Sequence, residues 1–172
     1  MTNSKRKGLL GSFIIIFVVL LLDQMLKIWV KTNMNLYQEI PLLGNFFKLH
    51  FIENDGMAFG LLGEGGLVKT LLSVFRIAAV VFLFFVLFRL SKKDTNFGVM
   101  FGLALITAGA LGNIIDCVFY GKIFQYAGWL HGRVVDMFSL SFFPPVFNLA
   151  DSAITIGVFY MILFQWKWLK SL

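Results

Sequence analysis

Asp136 and Asp151 are two carboxylates placed where a carboxylate is costly to keep. Asp136 closes the run Arg133-Val134-Val135-Asp136, and Asp151 lies in Phe147-Asn148-Leu149-Ala150-Asp151-Ser152, where the last long apolar segment opens. An acid inside or at the rim of a membrane-spanning segment marks a functional site by default, because hydrocarbon cannot solvate it. Two such acids that converge can share one proton, one staying ionised while its neighbour is protonated. The pair can then deprotonate a water and protonate a leaving amide nitrogen, which is aspartyl proteolysis. Serine chemistry fits less well. Ser152 adjoins Asp151, but no Lys or His lies nearby in sequence and Gly-x-Ser-x-Gly is absent. His50 and His131 are far apart and Cys117 is the single cysteine, so neither a metal site, a cofactor nor a disulfide is expected.

The elements that carry these acids follow from composition. The 172 residues are 59% hydrophobic and include 21 Phe, well above the roughly 45–50% apolar content of soluble domains. A membrane protein of a single domain is expected, with room for four spans of about 20 residues each. Apolar runs place them at about 8–30, 67–90, 97–119 and 146–166. The first follows Lys5-Arg6-Lys7 but is too long for a signal-peptide core and lacks a small-residue cleavage site, so it reads as a retained anchor. Eight of the fifteen bases (Lys5, Arg6, Lys7, Arg89, Lys92, Lys93, Lys167, Lys170) flank one set of helix ends, where Asp94 is the one acid. The positive-inside rule then puts both termini in the cytoplasm and the segments 31–66 and 120–145 outside. This distribution accounts for the net charge of +6, and no nucleic-acid partner is expected. Within 31–66, Phe46–Glu53 partly alternates and ends at Asn54-Asp55-Gly56, a strand followed by a turn, so a small sheet on the membrane surface is expected.

With this orientation the polar residues of all four spans, Arg76 of the second among them, fall on the outer-leaflet side. Asp23 and Lys27 are spaced i,i+4 in the outer third of the first span and can pair. Asn113 and Asp116 share a face at the outer end of the third, as do Asn148 and Asp151 at the outer start of the fourth. Such groups also serve purely as interhelical glue, a reading that fits Asp151 least because no base lies within a helical turn of it. A proton-coupled transporter or flippase is the competing function. A relay, however, should string acids across the membrane, and none lies in the inner halves of these spans.

The chain resembles the bacterial lipoprotein signal peptidases, the signal peptidase II family. The resemblance runs in order through Asp23-Gln24-Met25-Leu26-Lys27, Asn54-Asp55-Gly56-Met57-Ala58-Phe59, Gly109-Ala110-Leu111-Gly112-Asn113-Ile114-Ile115-Asp116, Val135-Asp136 and Phe147–Ser152. It implies a mainly α membrane protein with four transmembrane helices, a small extracytoplasmic β-cradle and a short outer interfacial helix. It implies an aspartic endopeptidase of the bacterial inner membrane, cleaving the signal peptide of a prolipoprotein before a Cys that carries diacylglycerol. Asp136 and Asp151 would be the catalytic pair. Asp23, Lys27, Asn54, Gly56, Asn113, Asp116, Asn148 and Ala150 would line or brace the substrate site. Membrane lipid, prolipoprotein signal peptides and globomycin-type cyclic peptide inhibitors are the implied partners, and the enzyme is expected to act as a monomer.

Two departures stand out. The family usually carries Arg after the Asp of the third block, whereas here Cys117 follows Asp116. Arg133, or failing it Arg76, is expected to supply the missing guanidinium. The segment 120–133, with Tyr120, Phe124, Tyr126 and Trp129, is also longer and more aromatic than the family pattern. It serves either to enlarge a lid over the site or to form an interfacial aromatic belt.

Overall fold

The computed structural model describes residues 3–55, 66–93 and 95–170. The three longest helices are α1 (Asn3–Asn33), α2 (Gly66–Ser91) and α3 (Phe97–Ile115). The helical stretches Gly8–Asn33, Leu67–Ser91 and Phe97–Ile123, the last running beyond α3, are long and apolar enough to cross a membrane. Only 17% of the apolar window of α1 and of α2 is buried, against 50% for α3. Most apolar side chains of α1 and α2 therefore need lipid to cover them.

At its end α3 widens into a π-helical turn, Asp116–Tyr120, and closes with the short α4, Gly121–Ile123. Residues 124–133 are irregular, with several turns. Among the described residues, then, the helical part of 120–145 is a continuation of α3, and the separate outer helix implied by the resemblance is absent. The last apolar segment also differs from expectation. It forms α5, Leu149–Phe164, of 16 residues, or about 24 Å at the usual rise per residue. The preceding Phe143–Phe147 is taken by a strand, and after Gln165 only the four-residue α6, Trp166–Leu169, follows.

The chain forms two compact units. The first contains Met1–Leu22, Ile77–Leu111 and Leu149–Leu172. Ile16, Leu87, Met100, Ala104 and Ala108 form its core. Small residues let α3 and α5 approach closely there. A Cβ on Gly109 would stand 2.2 Å from the Ala150 carbonyl oxygen, and one on Gly157 would stand 2.9 Å from the Gly102 oxygen.

The second unit, Asp23–Arg76 and Gly112–Asn148, holds the sheet. Strands β1 (Glu39–Leu43), β2 (Phe47–Asn54), β3 (Val134–Leu140) and β4 (Phe143–Phe147) are antiparallel in the order β1-β2-β3-β4. Proline cannot donate to a ladder and belongs on edge strands; here Pro41 is in β1 and Pro144-Pro145 in β4, the two edges. The central strands have none. Val135 and Met137 of β3 pack with Val30, Met34, Phe51 and Tyr120 in the core of this unit. Because side chains alternate along a strand, Asp136 points to the opposite face.

The π-turn anchors the segment leading into β3. Cys117 and Val118 carbonyls accept the Gly132 and Leu130 N–H groups at 2.8 and 3.2 Å. The Ser73 hydroxyl donates to the Leu130 carbonyl at 2.9 Å, holding that residue at φ 66°. Gly132 is required by space: a Cβ there would meet the Asp116 carbonyl oxygen at 1.9 Å.

Candidate active site

Asp136 is delivered by β3, an inner strand of the sheet. It is 3% exposed and sits opposite Ile52 on β2. Asn54, two residues along the same face of β2, is its diagonal neighbour. The Asn54 amide donates to Asp136 Oδ2 at 3.1 Å, and the Asn148 amide donates to Oδ1 at 2.7 Å. Asn148 occupies the single residue between β4 and α5 and is fully buried. Its Nδ2 also lies 3.1 Å from Asn113 Oδ1 and 3.3 Å from the Val135 carbonyl.

Asn113 connects this group to a buried ion cluster. Its Oδ1 accepts a hydrogen bond from Lys27 Nζ at 2.9 Å. Lys27 meets Asp23 at 3.0 Å and Asp116 at 2.9 Å, all three side chains at most 1% exposed. An ammonium buried with two carboxylates keeps its charge only through such close partners. Gln24 also serves the cluster, donating to Asp23 Oδ2, the oxygen Lys27 holds, and to Asp116 Oδ1, at 3.2 and 3.0 Å. The Val135 N–H donates to Asp116 Oδ2 at 3.1 Å. Gln24 Oε1 in turn accepts the Tyr120 hydroxyl at 3.1 Å. One continuous network thus brings together Asp23, Lys27, Asn54, Asn113, Asp116, Asp136 and Asn148.

Arg133 does not join it. Its Nη1 donates to Glu53 at 3.2 Å and its Nε to Asp55 at 3.3 Å, so the expectation that it replaces a guanidinium beside Asp116 fails. Asp116 is satisfied by Lys27, Gln24 and Val135 instead. Of the two candidates, Arg76 is the one that reaches residue 117: its Nη1 lies 3.1 Å from Cys117 Sγ. Glu53 also pairs with Lys31, and Asp55 with Lys69 at 2.5 Å. Burial alone would raise the Asp55 carboxyl, but Lys69 and Arg133 outweigh it and hold it below the ordinary carboxylate range. The Arg133 guanidinium is correspondingly raised, first by its hydrogen bond to Glu53. The Tyr126 hydroxyl is raised by burial and accepts the Arg133 N–H at 2.8 Å.

Ala150 and Asp151 lie in the first turn of α5, in the first unit. Gly56 falls outside the described residues. Sequence reasoning passed over Gln24, Tyr120, Glu53 and Asp55. Gln24 had a legible signal, an amide directly beside Asp23 and three residues before Lys27 in an otherwise apolar helix. Tyr120 had none, since its place depends on the π-turn.

A family model described as signal peptidase (SPase) II matches residues 15–167. The chain belongs to that family. It is 40% identical to a lipoprotein signal peptidase of Porphyromonas gingivalis, over 86% of this chain and 79% of that protein. It is 36% identical to a lipoprotein signal peptidase of Amoebophilus asiaticus, over 87% of this chain and 75% of its relative. A solved bacterial membrane enzyme superposes with a TM-score of 0.67 at 28% identity, covering 91% of this chain and 88% of that one. A second bacterial membrane enzyme structure gives 0.69 at 26% identity. This membrane peptidase removes signal peptides from prolipoproteins, and the competing reading as a proton-coupled transporter is set aside.

Proposed function

We propose that the peptidase is of the aspartic type, with Asp136 and Asp151 as its catalytic pair. The observation that carries this reading is the way Asp136 is held. Both of its oxygens accept hydrogen bonds from the neutral amides of Asn54 and Asn148, while Asp23 and Asp116 share the Lys27 ammonium. Two amide donors from different segments fix where the Asp136 carboxylate points, which is what positioning of a reacting group requires. In the proposed reaction the ionised member of the pair takes a proton from water as the water oxygen attacks the scissile carbonyl carbon. The protonated member gives its proton to the carbonyl oxygen. The tetrahedral intermediate then collapses: the member that took the water proton passes it to the departing nitrogen as the carbon–nitrogen bond breaks, and the other member takes back a hydroxyl proton from the intermediate, restoring the pair.

The substrate in this reading is a prolipoprotein whose Cys already carries diacylglycerol, cut immediately before that residue. Each acyl methylene buried against the helices contributes about 0.8 kcal/mol, so the lipid supplies much of the binding. Asp23, Lys27, Asn54, Gly56, Asn113, Asp116, Asn148 and Ala150 line or brace the site, and cyclic peptides of the globomycin type compete for it. The enzyme acts as a monomer in the bacterial inner membrane. Its α1, α2, α3 and α5 are the four spans, both termini are cytoplasmic, and the site opens at the outer leaflet. Clustering of eight bases at one set of helix ends supports that orientation.

The test is cleavage of a diacylglyceryl-prolipoprotein by purified Asp136→Asn and Asp151→Asn variants. Each should lose more than about 10²-fold in turnover while inserting into membranes normally. Near-normal turnover by either variant excludes the pair. Comparable kcat/KM for lipidated and unlipidated substrate would remove the lipid from recognition.

A further inference from the structure

We propose that Arg133 is a positioning residue for Asp136: it bridges Glu53 and Asp55, the two neighbours of Asn54, and so keeps the Asn54 amide on the Asp136 carboxylate. This rests on the reading of Asp136 as catalytic. The strand pairing shows why such a device is needed. Asn54 opposite Val134 is the last rung of the β2–β3 ladder, and Asn54 is the final residue of β2. A strand end frays unless something beyond the backbone ladder holds it. Continuing the antiparallel register by one residue places Arg133 opposite Asp55. Its fork then spans both sides of Asn54, with Nη1 on Glu53 and Nε on Asp55.

Each carboxylate of the clamp has a second cation. Lys31 of α1 pairs with Glu53, and Lys69 of α2 pairs with Asp55. Lys31 is fixed in turn over the rings of Tyr126 and Phe124, at 4.7 and 4.8 Å. Tyr126 also takes the Arg133 N–H, which fixes the root of the clamp. An isolated exposed ion pair is worth little, but one planar guanidinium across two anchored carboxylates specifies geometry. A lysine ammonium is a compact charge without that planar fork, so it matches this spread of carboxylates less well.

The experiment is a double-mutant cycle in the prolipoprotein cleavage assay with Arg133→Ala, Asn54→Ala and the double variant, alongside Arg133→Lys and Asp136→Asn. Arg133→Ala should lower kcat about tenfold with KM changed less than about twofold, since misplacement of a reacting group is read in the rate of the chemical step. In the Asn54→Ala background the same substitution should cost less than about twofold, because coupled residues are non-additive. Arg133→Lys should recover part of the loss. Raising ionic strength should slow the wild type toward the rate of Arg133→Ala and leave that variant unaffected. Losses that multiply in the double variant, or a change confined to KM, would overturn the proposal and make Arg133 a direct substrate contact. Retained activity in Asp136→Asn would instead overturn the reading on which the proposal rests. Thermal unfolding of each purified variant separates misfolding from misalignment: loss of kcat only in proportion to lost folded protein also overturns it.

Discussion

Lys27 and Asp136 are joined through two asparagines. Lys27 donates to Asn113 Oδ1, the same oxygen accepts from Asn148, and Asn148 donates to Asp136. The charge cluster and the proposed catalytic acid are therefore one hydrogen-bonded assembly, and a change at either end is felt at the other.

Lys27→Met should be among the most damaging substitutions outside the acids. It leaves Asp23 and Asp116 buried without their ammonium, a loss of about 3–5 kcal/mol. Thermal unfolding in detergent should show a large drop in midpoint. The triple variant Lys27→Met, Asp23→Asn, Asp116→Asn should recover much of that stability.

Asn148→Ala removes the shorter of the two amide contacts to Asp136. A lost hydrogen bond to a carboxylate costs about 1.5–3 kcal/mol, and the loosened group should turn over substrate about 10–100-fold more slowly. Steady-state cleavage should place the loss in kcat. A raised KM with normal kcat would mean that Asn148 holds substrate instead.

Gly132→Ala brings a methyl carbon against the Asp116 carbonyl oxygen, 1.9 Å away before any movement. Backbone cannot yield as a side chain does, so the segment entering β3 must shift. A loss of about 1–3 kcal/mol is expected from overpacking of this kind. Lower unfolding temperature together with reduced turnover is the expected result; a neutral variant would show that this segment is not held as described.

Acidification should weaken the Arg133 clamp through Asp55. Its carboxyl is held low in the folded protein, so the unfolded chain binds protons more readily. The associated stability is complete above the ordinary Asp value of about 3.9 and is lost as pH falls through the lowered folded value. Unfolding temperature followed from pH 6 downward, about the range where carboxylates begin to titrate, should drop less for Asp55→Asn than for wild type. The Asn variant should start lower and flatten the acid limb.

Much of this was legible beforehand. The long helices announce themselves as apolar runs bounded by charge, and the pairing of Asp23 with Lys27 follows from their spacing. The sheet was half visible. β2 alternates enough to be read, but Val134, Val135, Asp136 and Met137 are all buried. With both faces covered, the alternation that marks a strand disappears. β4 was hidden by its two prolines and by apolar continuity with the helix after it. Arg133 was misassigned for a related reason. Sequence proximity to Asp136 suggested a partner in the buried cluster, whereas strand register sends its side chain to Glu53 and Asp55. The π-turn at Asp116–Tyr120 leaves no trace in residue types.

The prolines of β4 also bear on how a peptide can be read. Many proteins hold an extended peptide by letting it join a sheet as an extra strand, where backbone groups alone give affinity. Successive residues of a strand send their N–H groups to opposite edges, so with Pro144 and Pro145 adjacent at least one outward donor of the five-residue β4 is missing. β1, at the other border, is interrupted by Pro41. Neither border is a good template for main-chain pairing. Recognition of the leader peptide is therefore expected to rest on something other than strand addition, and a guest chain, or a second copy of the enzyme, finds no ready seam along which to zip.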